Sequence, residues 1–401
     1  MSKMSRYIMF ALLYFAQGAV LSYFTSLNSL YLLSFNLDMG KIGIISSIAM
    51  IPFVIKIFLG MLSDKVNIFG WGHRKPFIVI GLFLQALCLL FVPLVNPATQ
   101  YALFAALALI LMTGMAMYDT CTDGLALDSS TKEEEGTIQG FMVGGRAMGV
   151  VLISSVIGLL VERTSWSVAF YMLAVLTLAP LPLVLRVKEA PRRADQTFAW
   201  KAFRAFTVKP VIMLGVLGAL YSLVIYGANQ IVNPFLQAEF NISTSMAGFV
   251  TTVWGIGVVF GSVTGGRLTD KWGQRTSVLR ASMLSLVSVA LIALIRQPWQ
   301  IWPLVLLFGL AFGFYETVFF AISMDRTDPR IAASMFSILM AIANIGTGVG
   351  LALTGGLVEG IGYPATFIVL ALLNILIVPL LPHVFVNKEE LIVQVEKTQA
   401  G

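Results

Sequence analysis

Twelve apolar runs, each long enough to cross a bilayer, leave this chain few folds to adopt. They fall at roughly 7–33, 42–63, 76–95, 101–127, 137–161, 166–186, 210–236, 245–268, 277–295, 300–324, 331–357 and 362–383. A crossing takes about 20 residues as a helix, because hydrocarbon offers the backbone no hydrogen-bond partner and a helix satisfies its amides internally. Hydrophobic residues make up 58% of the 401 and charged residues 11%, where a soluble domain carries about 25% charge. The expectation is an all-α, multi-pass membrane protein of twelve transmembrane helices.

The charges that remain orient it. Of the 26 Lys and Arg, 21 fall in loops and tails that would share one side, and the opposite loops carry only Lys41, Arg163 and Arg296. Basic loops stay inside, so both termini and the long central connection are expected to be cytoplasmic. The net charge of +6 then reflects topology and does not point to nucleic acid. The start of the chain imitates a signal peptide, with Lys3 and Arg6 ahead of an apolar stretch and Ala16-Gln17-Gly18. Its apolar character continues to Leu33, so it reads as a retained first span. Short tails and sparse loops suggest a bacterial or archaeal plasma membrane and a monomer. Cys88 and Cys121 lie inside apolar runs, and His73 and His383 are far apart. That is neither a disulfide framework nor the start of a metal site, so no metal or cofactor is expected. The chain has no G-x-x-x-x-G-K-[ST] loop, which argues against an ATP-driven pump.

The runs form two related halves. Tyr118-Asp119-Thr120 returns as Tyr315-Glu316-Thr317, and Asp128 as Asp325, each 197 residues later. Gly149 returns as Gly346, and Gly158-Leu159-Leu160-Val161-Glu162 as Gly355-Gly356-Leu357-Val358-Glu359, at the same offset. Asn28 and Asn36 return as Asn233 and Asn241, 205 residues later. The predicted organisation is two pseudo-symmetric six-helix bundles, 1–186 and 210–383. A cytoplasmic linker (187–209) joins them and a tail (384–401) follows. In the linker, Phe198, Trp200, Phe203 and Phe206 interleave with Lys201 and Arg204, the pattern of a short amphipathic helix on the membrane face. A parallel repeat of this kind is one layout of secondary transporters, with substrate expected between the halves near the midplane.

Five ionisable residues lie inside the runs at one depth. Lys56 is eight residues from Asp64, and Asp119, Arg146 and Glu316 are nine from Asp128, Thr137 and Asp325. At about 1.5 Å per residue, that places them roughly 12–14 Å from the basic-loop ends. Asp123 is one turn below Asp119, on the same helical face. Charge in hydrocarbon is costly and persists where it faces a cavity or a counter-charge, so these residues are candidates for substrate or proton handling. Lys56 and Arg146 are expected to pair with Asp119 and Asp123, or to hold the bundle as static ion pairs. Glu316 is then left over in the second half, the first candidate for proton coupling, with Asp119 and Asp123 beside it. Tyr315 is adjacent. On the first and seventh spans Tyr14, Gln17, Tyr23 and Asn28, and Tyr226, Asn229, Gln230 and Asn233, make polar stripes. They line either a solute path or a helix–helix seam joined by hydrogen bonds. Glycines crowd the fifth, eighth and eleventh spans, where small residues permit close packing. Asn241-Ile242-Ser243 matches a glycosylation acceptor, but the loop is short and the match is read as chance.

Gly266-Arg267-Leu268-Thr269-Asp270-Lys271-Trp272-Gly273-Gln274-Arg275 fits G-x-x-x-D-[RK]-x-G-x-[RK]. Gly60-Met61-Leu62-Ser63-Asp64-Lys65, an insertion, and Gly72-His73-Arg74-Lys75 give a second, interrupted copy. Each copy follows the second span of its half. This arrangement resembles the major facilitator superfamily. The resemblance implies a conformational latch from Gly60, Asp64, Lys65, Arg74 and Asp128 in one half, and Gly266, Asp270, Lys271, Arg275 and Asp325 in the other. Ion pairs at helix ends can hold one state and break in the next. Residues 50–185 resemble the folate–biopterin transporter family. The match rests on Pro52 and Lys56 before Gly60-x-x-x-Asp64, the Ile68-Phe69-Gly70 insertion with Arg74-x-Pro76, the Asp119/Asp123/Asp128 spacing, and Gln139 with Gly145-Arg146-Ala147-x-Gly149. The Lys56 and Asp119 spacings are also similar to the muropeptide permease and acetyl-CoA transporter families, and the insertion to sugar–cation symporters.

The resemblance implies a secondary active transporter working by alternating access on a small polar, anionic organic solute, coupled to protons as a symporter. The other readings are a sugar–cation symporter, a drug or metabolite exporter, and a non-transporting assembly factor or receptor on the same fold. The runs hold no nucleophile–base pair or metal cluster that would suggest an enzyme.

Overall fold

The computed structural model describes residues 2–129, 132–189, 200, 202–326 and 332–387. The side chains of residues 64, 69, 127, 132, 133, 135, 136, 332 and 333 lie outside that set. The described residues are helical, with α1 (Lys3–Leu33), α2 (Met39–Lys65), α3 (Lys75–Phe91), α4 (Tyr101–Ser129), α5 (Lys132–Arg163) and α6 (Trp166–Leu185) in the first half. The second half has α7 (Lys209–Phe240), α8 (Thr244–Trp272), α9 (Gln274–Ala293) and α10 (Ile301–Asp325). The last candidate span, Ser334–Val384, runs for 51 residues, or about 75 Å as a helix, more than twice the hydrocarbon thickness. Gly362, at φ 77° and ψ 170°, breaks it into α11 (334–361) and α12 (363–384). Twelve crossings result, as the apolar runs predicted.

The helices outrun the apolar runs because their ends are set by caps. Asp38 caps α2 by accepting from the amide of Lys41 at 2.8 Å, meeting one of the four unpaired N–H groups of a helix start. Asn36 and Asn241 stand just past the ends of α1 and α7 with φ 60° and 49°, the non-glycine residues of positive φ among those described. Asparagine tolerates this left-handed geometry better than other side-chain-bearing residues. The sequence repeat between these two positions is therefore also a repeat of backbone conformation.

The described residues form two compact units, Met1–Thr197 with Leu236–Thr252, and Phe198–Phe235 with Val253–Gly401. Corresponding helices pack in each. In the first unit α1 lies against α5, and α4 against α2 and α3. In the second, α7 lies against α11, and α10 against α8 and α9. Glycine makes the closest of these seams possible. A Cβ at Gly145 would lie 2.2 Å from the Ala11 carbonyl oxygen, and one at Gly18 2.2 Å from that of Arg146. The same holds in the second unit, where a Cβ at Gly346 would lie 2.0 Å from the Ala219 carbonyl oxygen. The start of α8 joins the first unit against α5, where Thr252 donates to the Val151 carbonyl at 2.7 Å and its hydroxyl meets that of Ser154 at 2.9 Å.

Of the linker, Trp200 and the single helical turn Ala202–Ala205 are described before α7; residues 190–199 and 201 lie outside the described set. The turn buries Ala202 and Ala205 against the Ala332–Leu373 helix and leaves Trp200 and Phe203 exposed, their rings stacked at 5.9 Å. Arg204 is exposed beside them, and Phe198 and Lys201 of the expected amphipathic pattern lie outside the described set. Residues of the tail beyond 387 are likewise outside the described set.

Candidate functional site

The repeated Tyr-acid-Thr triplet organises both units, because three consecutive helical positions face three directions. Thr120 faces Gly60, whose Cβ would lie 3.1 Å from the threonine methyl, and Thr317 faces Gly266 at 3.7 Å. The first glycine of each loop motif thus seats the threonine of each triplet. Tyr118 and Tyr315, each 1% exposed, turn the other way. Their hydroxyls lie near Gln85 of α3 and Ser282 of α9 without closing a full hydrogen bond. Those two neighbours are themselves 197 residues apart. The acid between them is left to face α1 or α7.

In the first unit this direction holds a charged cluster. Asp119 is 6% exposed. Its Oδ1 accepts from Nε2 of Gln17 at 2.7 Å, and Nζ of Lys56 lies 3.4 Å from its Oδ2. One turn along α4, Asp123 accepts from the Tyr14 hydroxyl. The charges of Asp119, Lys56 and Arg146 all act on Asp123, and that of Arg146 reaches Tyr14 and Tyr118 as well. Arg146 is the exposed member of the group. It is fixed beside α1 by the glycines around it, since Gly145 and Gly149 bring α5 against the Ala11 and Phe15 carbonyls. Two acids and two bases leave the cluster neutral, which is how ionised groups are retained away from bulk water. The expected association of Lys56 with Asp119 is present, and Gln17 and Tyr14 complete it.

In the second unit the Tyr226 hydroxyl lies 3.5 Å from Oε1 of Glu316. Glu316 is therefore not left over, as charge pairing alone suggested. It has a phenol neighbour, as Asp123 has Tyr14. The ring of Tyr221, also on α7, lies 4.1 Å from that of Tyr315. Asn229, Gln230 and Asn233 are all buried, and Gln230 donates to the Leu351 carbonyl of α11 at 3.2 Å. For Gln230 the stripe serves helix packing. In the first unit Tyr23 and Asn28 are brought to each other at 2.8 Å, among the rings of Tyr31, Trp166 and Phe170, and are not joined to the acids.

The latch residues divide similarly. Arg74 is buried at the basic-loop end, with NH1 donating to the Ser63 hydroxyl at 2.7 Å and Nε 3.4 Å from Oδ2 of Asp128. Glycine at 124 makes room for it, since a Cβ there would lie 2.6 Å from the guanidinium. Sequence reasoning missed Glu189, whose carboxylate accepts from the amides of His73 and Arg74 at 2.6 and 2.9 Å, and from that of Lys75. It caps α3 and ties the first linker residues to it. The Asp64 side chain lies outside the described set, and Lys65 is exposed. In the second copy Asp270, Lys271 and Arg275 are exposed, and Gly273 takes φ 77° to start α9. Asp325 lies 3.7 Å from its neighbour Arg326.

The two six-helix units, with an acid at corresponding positions of α4 and α10, define a repeat-built integral membrane protein. The profile of the Major Facilitator Superfamily matches residues 10–235 and 214–400, and the chain belongs to that family. The sialic acid transporter NanX of Escherichia coli is 22% identical over 238 residues, 57% of this chain and 56% of NanX. The folate–biopterin transporter of Synechocystis sp. is 25% identical over 77% of this chain and 66% of its own length. The chain thus spans less than two thirds of these two relatives. The anhydromuropeptide permease of Escherichia coli is 22% identical over 83% of this chain and 70% of the permease. Among solved structures, the nucleoside transporter NupG superposes with a TM-score of 0.80 at 16% identity, over 96% of this chain and 99% of NupG. The fold and the branch resemblance drawn from the motifs both hold.

Proposed function

We propose that the protein is a secondary active transporter that carries a small polar organic anion across the membrane by alternating access, in symport with protons. The observation that carries this reading is the neutral cluster of Lys56, Asp119, Asp123 and Arg146, held with Gln17 and Tyr14 on helices that cross the bilayer, with Asp119 and Gln17 buried and Arg146 exposed. Such charges cost too much to keep for packing alone when apolar residues of similar size pack as well. Arg146, exposed within its helix, is the seat for the anionic group, and its planar fork suits a carboxylate. Asp119, Asp123 and Glu316 carry protons or balance charge as the solute enters and leaves. Arg74 with Asp128 and Ser63, and the exposed Asp270, Lys271 and Arg275, form the latch that exchanges partners between states. Sialic acid and folate, named for two relatives, are both carboxylic acids, which supports an anionic solute. The working form is a monomer in a bacterial or archaeal plasma membrane, with both termini in the cytoplasm.

The test is proton flux. Purified protein in liposomes loaded with a pH-sensitive dye is exposed to pools of organic acids, nucleosides and neutral sugars. An organic-acid pool is expected to acidify the lumen, with loss of the response in Arg146→Ala and Glu316→Gln. Parent-like acidification by both variants would sink the site assignment.

A further inference from the structure

One helix of the second unit carries an arginine on a face that is otherwise apolar and uncovered. Over residues 276–294 the exposed side chains are those of Thr276, Arg280, Met283, Val287 and Leu294. Intervals of four, three, four and seven keep all five on one face of α9. Met283 is 62% exposed, so no other described helix covers this face. On a helix that crosses a membrane, such a face meets lipid. Arginine there is costly unless its charge reaches the interface or meets a counter-charge.

Arg280 does reach the interface. Helical side chains lean toward the helix start, and the start of α9 is a basic-loop end. The guanidinium carbon lies 4.0 Å from the centroid of the Trp272 ring, the last residue of α8. The stack holds the charge at that level although the Arg280 Cα is six residues, about 9 Å, into the helix. A guanidinium laid over a ring uses its face and keeps its N–H edge for an acceptor. Among the described residues, neither Arg280 nor Thr276 makes a side-chain hydrogen bond or ion pair. The turn between the helices adds Lys271 and Arg275 against a single acid, Asp270.

The first unit shows how such a base is satisfied from within. Trp71 precedes Gly72 as Trp272 precedes Gly273, and both glycines have positive φ. Nζ of Lys75 lies 5.9 Å from the Trp71 ring. It also donates to the Leu185 and Val187 carbonyls at 2.7 and 3.3 Å. The chain supplies an acceptor there and none to Arg280.

We propose that Arg280 and Thr276, braced by Trp272, bind the phosphate of an anionic phospholipid whose acyl chains lie along Met283 and Val287. The guanidinium edge and the threonine hydroxyl donate to phosphate oxygens. The apolar stripe running on from Arg280 favours a lipid over a soluble phosphate, and the excess of bases favours a headgroup without a cation of its own. The site is separate from the residues assigned to the solute.

Native mass spectrometry of the purified full chain in detergent tests it. The probes are phosphatidylglycerol, phosphatidylcholine with the same acyl chains, and glycerol 3-phosphate. The parent is expected to bind phosphatidylglycerol at least about fivefold more tightly than phosphatidylcholine, the worth of about one base near a membrane surface. Arg280→Gln should retain one phosphatidylglycerol fewer per chain. Thr276→Val, which leaves the stack intact, should weaken that lipid by about threefold, and it reads the same site should Arg280→Gln lower the unfolding temperature. Arg296→Gln removes a base beyond the opposite end of α9 and should retain as much as the parent. Parent-like retention in both Arg280→Gln and Thr276→Val would overturn the site and leave Arg280 a plain interfacial anchor. An equal loss in Arg296→Gln would overturn it in favour of diffuse charge. Glycerol 3-phosphate binding as tightly as phosphatidylglycerol would overturn the lipid and assign the pair to a soluble phosphate.

Discussion

Gly144 and Gly145 are adjacent on α5 and offer a controlled measurement of what fixes Arg146. A Cβ at Gly145 would lie 2.2 Å from the Ala11 carbonyl oxygen and 3.1 Å from the Ala11 Cα, whereas one at Gly144 meets nothing within 4 Å. Ordinary contact begins near 3.4 Å, so Gly145→Ala must part α1 and α5 by the difference, about 1.2 Å. The opposing atoms are backbone on both sides and cannot yield by changing rotamer. Overpacking of this kind costs about 1–3 kcal/mol. Both substitutions gain about 1 kcal/mol from replacing glycine within a helix. Gly144→Ala is therefore expected to stabilise the protein by about that amount, and Gly145→Ala to lie about 1–3 kcal/mol below it. Arg146 follows Gly145 directly, and Tyr14 and Gln17 lie on the helix it displaces. A shift of about 1 Å at a working site can cost about a hundredfold in activity, so solute binding should fall more steeply than stability. Thermal unfolding and calorimetric binding in the same detergent read both quantities. Equal melting temperatures for the two variants, or a less stable Gly144→Ala, would refute the close seam.

Three further expectations follow from contacts outside that seam. Arg74→Ala leaves Asp128 without the guanidinium 3.4 Å away and should lower stability by about 3–5 kcal/mol as an uncompensated part-buried charge. Restored stability in Arg74→Ala with Asp128→Asn would confirm the cause. Glu189→Gln should weaken the cap over the three successive amides that lead into α3 by about 0.5–2 kcal/mol, read as faster hydrogen exchange at His73, Arg74 and Lys75. Asn241, at φ 49°, should tolerate glycine, while Asn241→Ala loses about 1–2 kcal/mol to left-handed strain. Equal unfolding temperatures for those two variants would contradict the assignment.

The fold was legible because the bilayer imposes a length and polarity on every crossing, and because two halves repeat at nearly constant offset. The break at Gly362 was already visible as a gap between apolar runs. Asp119, Asp123, Lys56, Arg146 and Glu316 were conspicuous because charge in hydrocarbon has few innocuous explanations. What periodicity withholds is the identity of the facing helix. Tyr23 and Asn28 have the polarity and spacing of a solute path, yet they meet each other among aromatic rings. Gln230 has the same signature and donates to a helix backbone. Glu189 could not be found, since a lone loop carboxylate gains meaning only when three amides converge on it. Trp254 was hidden for the opposite reason. A tryptophan in an apolar run needs no explanation until its N–H is seen buried without an acceptor among the described residues.

The two units repeat their scaffold but not their charges, and the difference divides the work. Each has a triplet tyrosine buried toward its third helix, a triplet threonine on a motif glycine, and a phenol from its first helix beside an acid. The repeat positions of Lys56 and Arg146, by the offsets of the flanking motifs, are Ser262 and Ala343. At those two positions the second unit has no base, so the charged cluster belongs to the first unit, while a phenol beside an acid belongs to both. If that shared pair takes part in moving protons, its oxygen matters more to proton handling than to packing. On that account Tyr226→Phe, which removes only the hydroxyl 3.5 Å from Glu316, should shift the pH dependence of uptake and leave the unfolding temperature nearly unchanged. Parent-like pH dependence in a variant with a lowered unfolding temperature would assign the Tyr226 hydroxyl to packing.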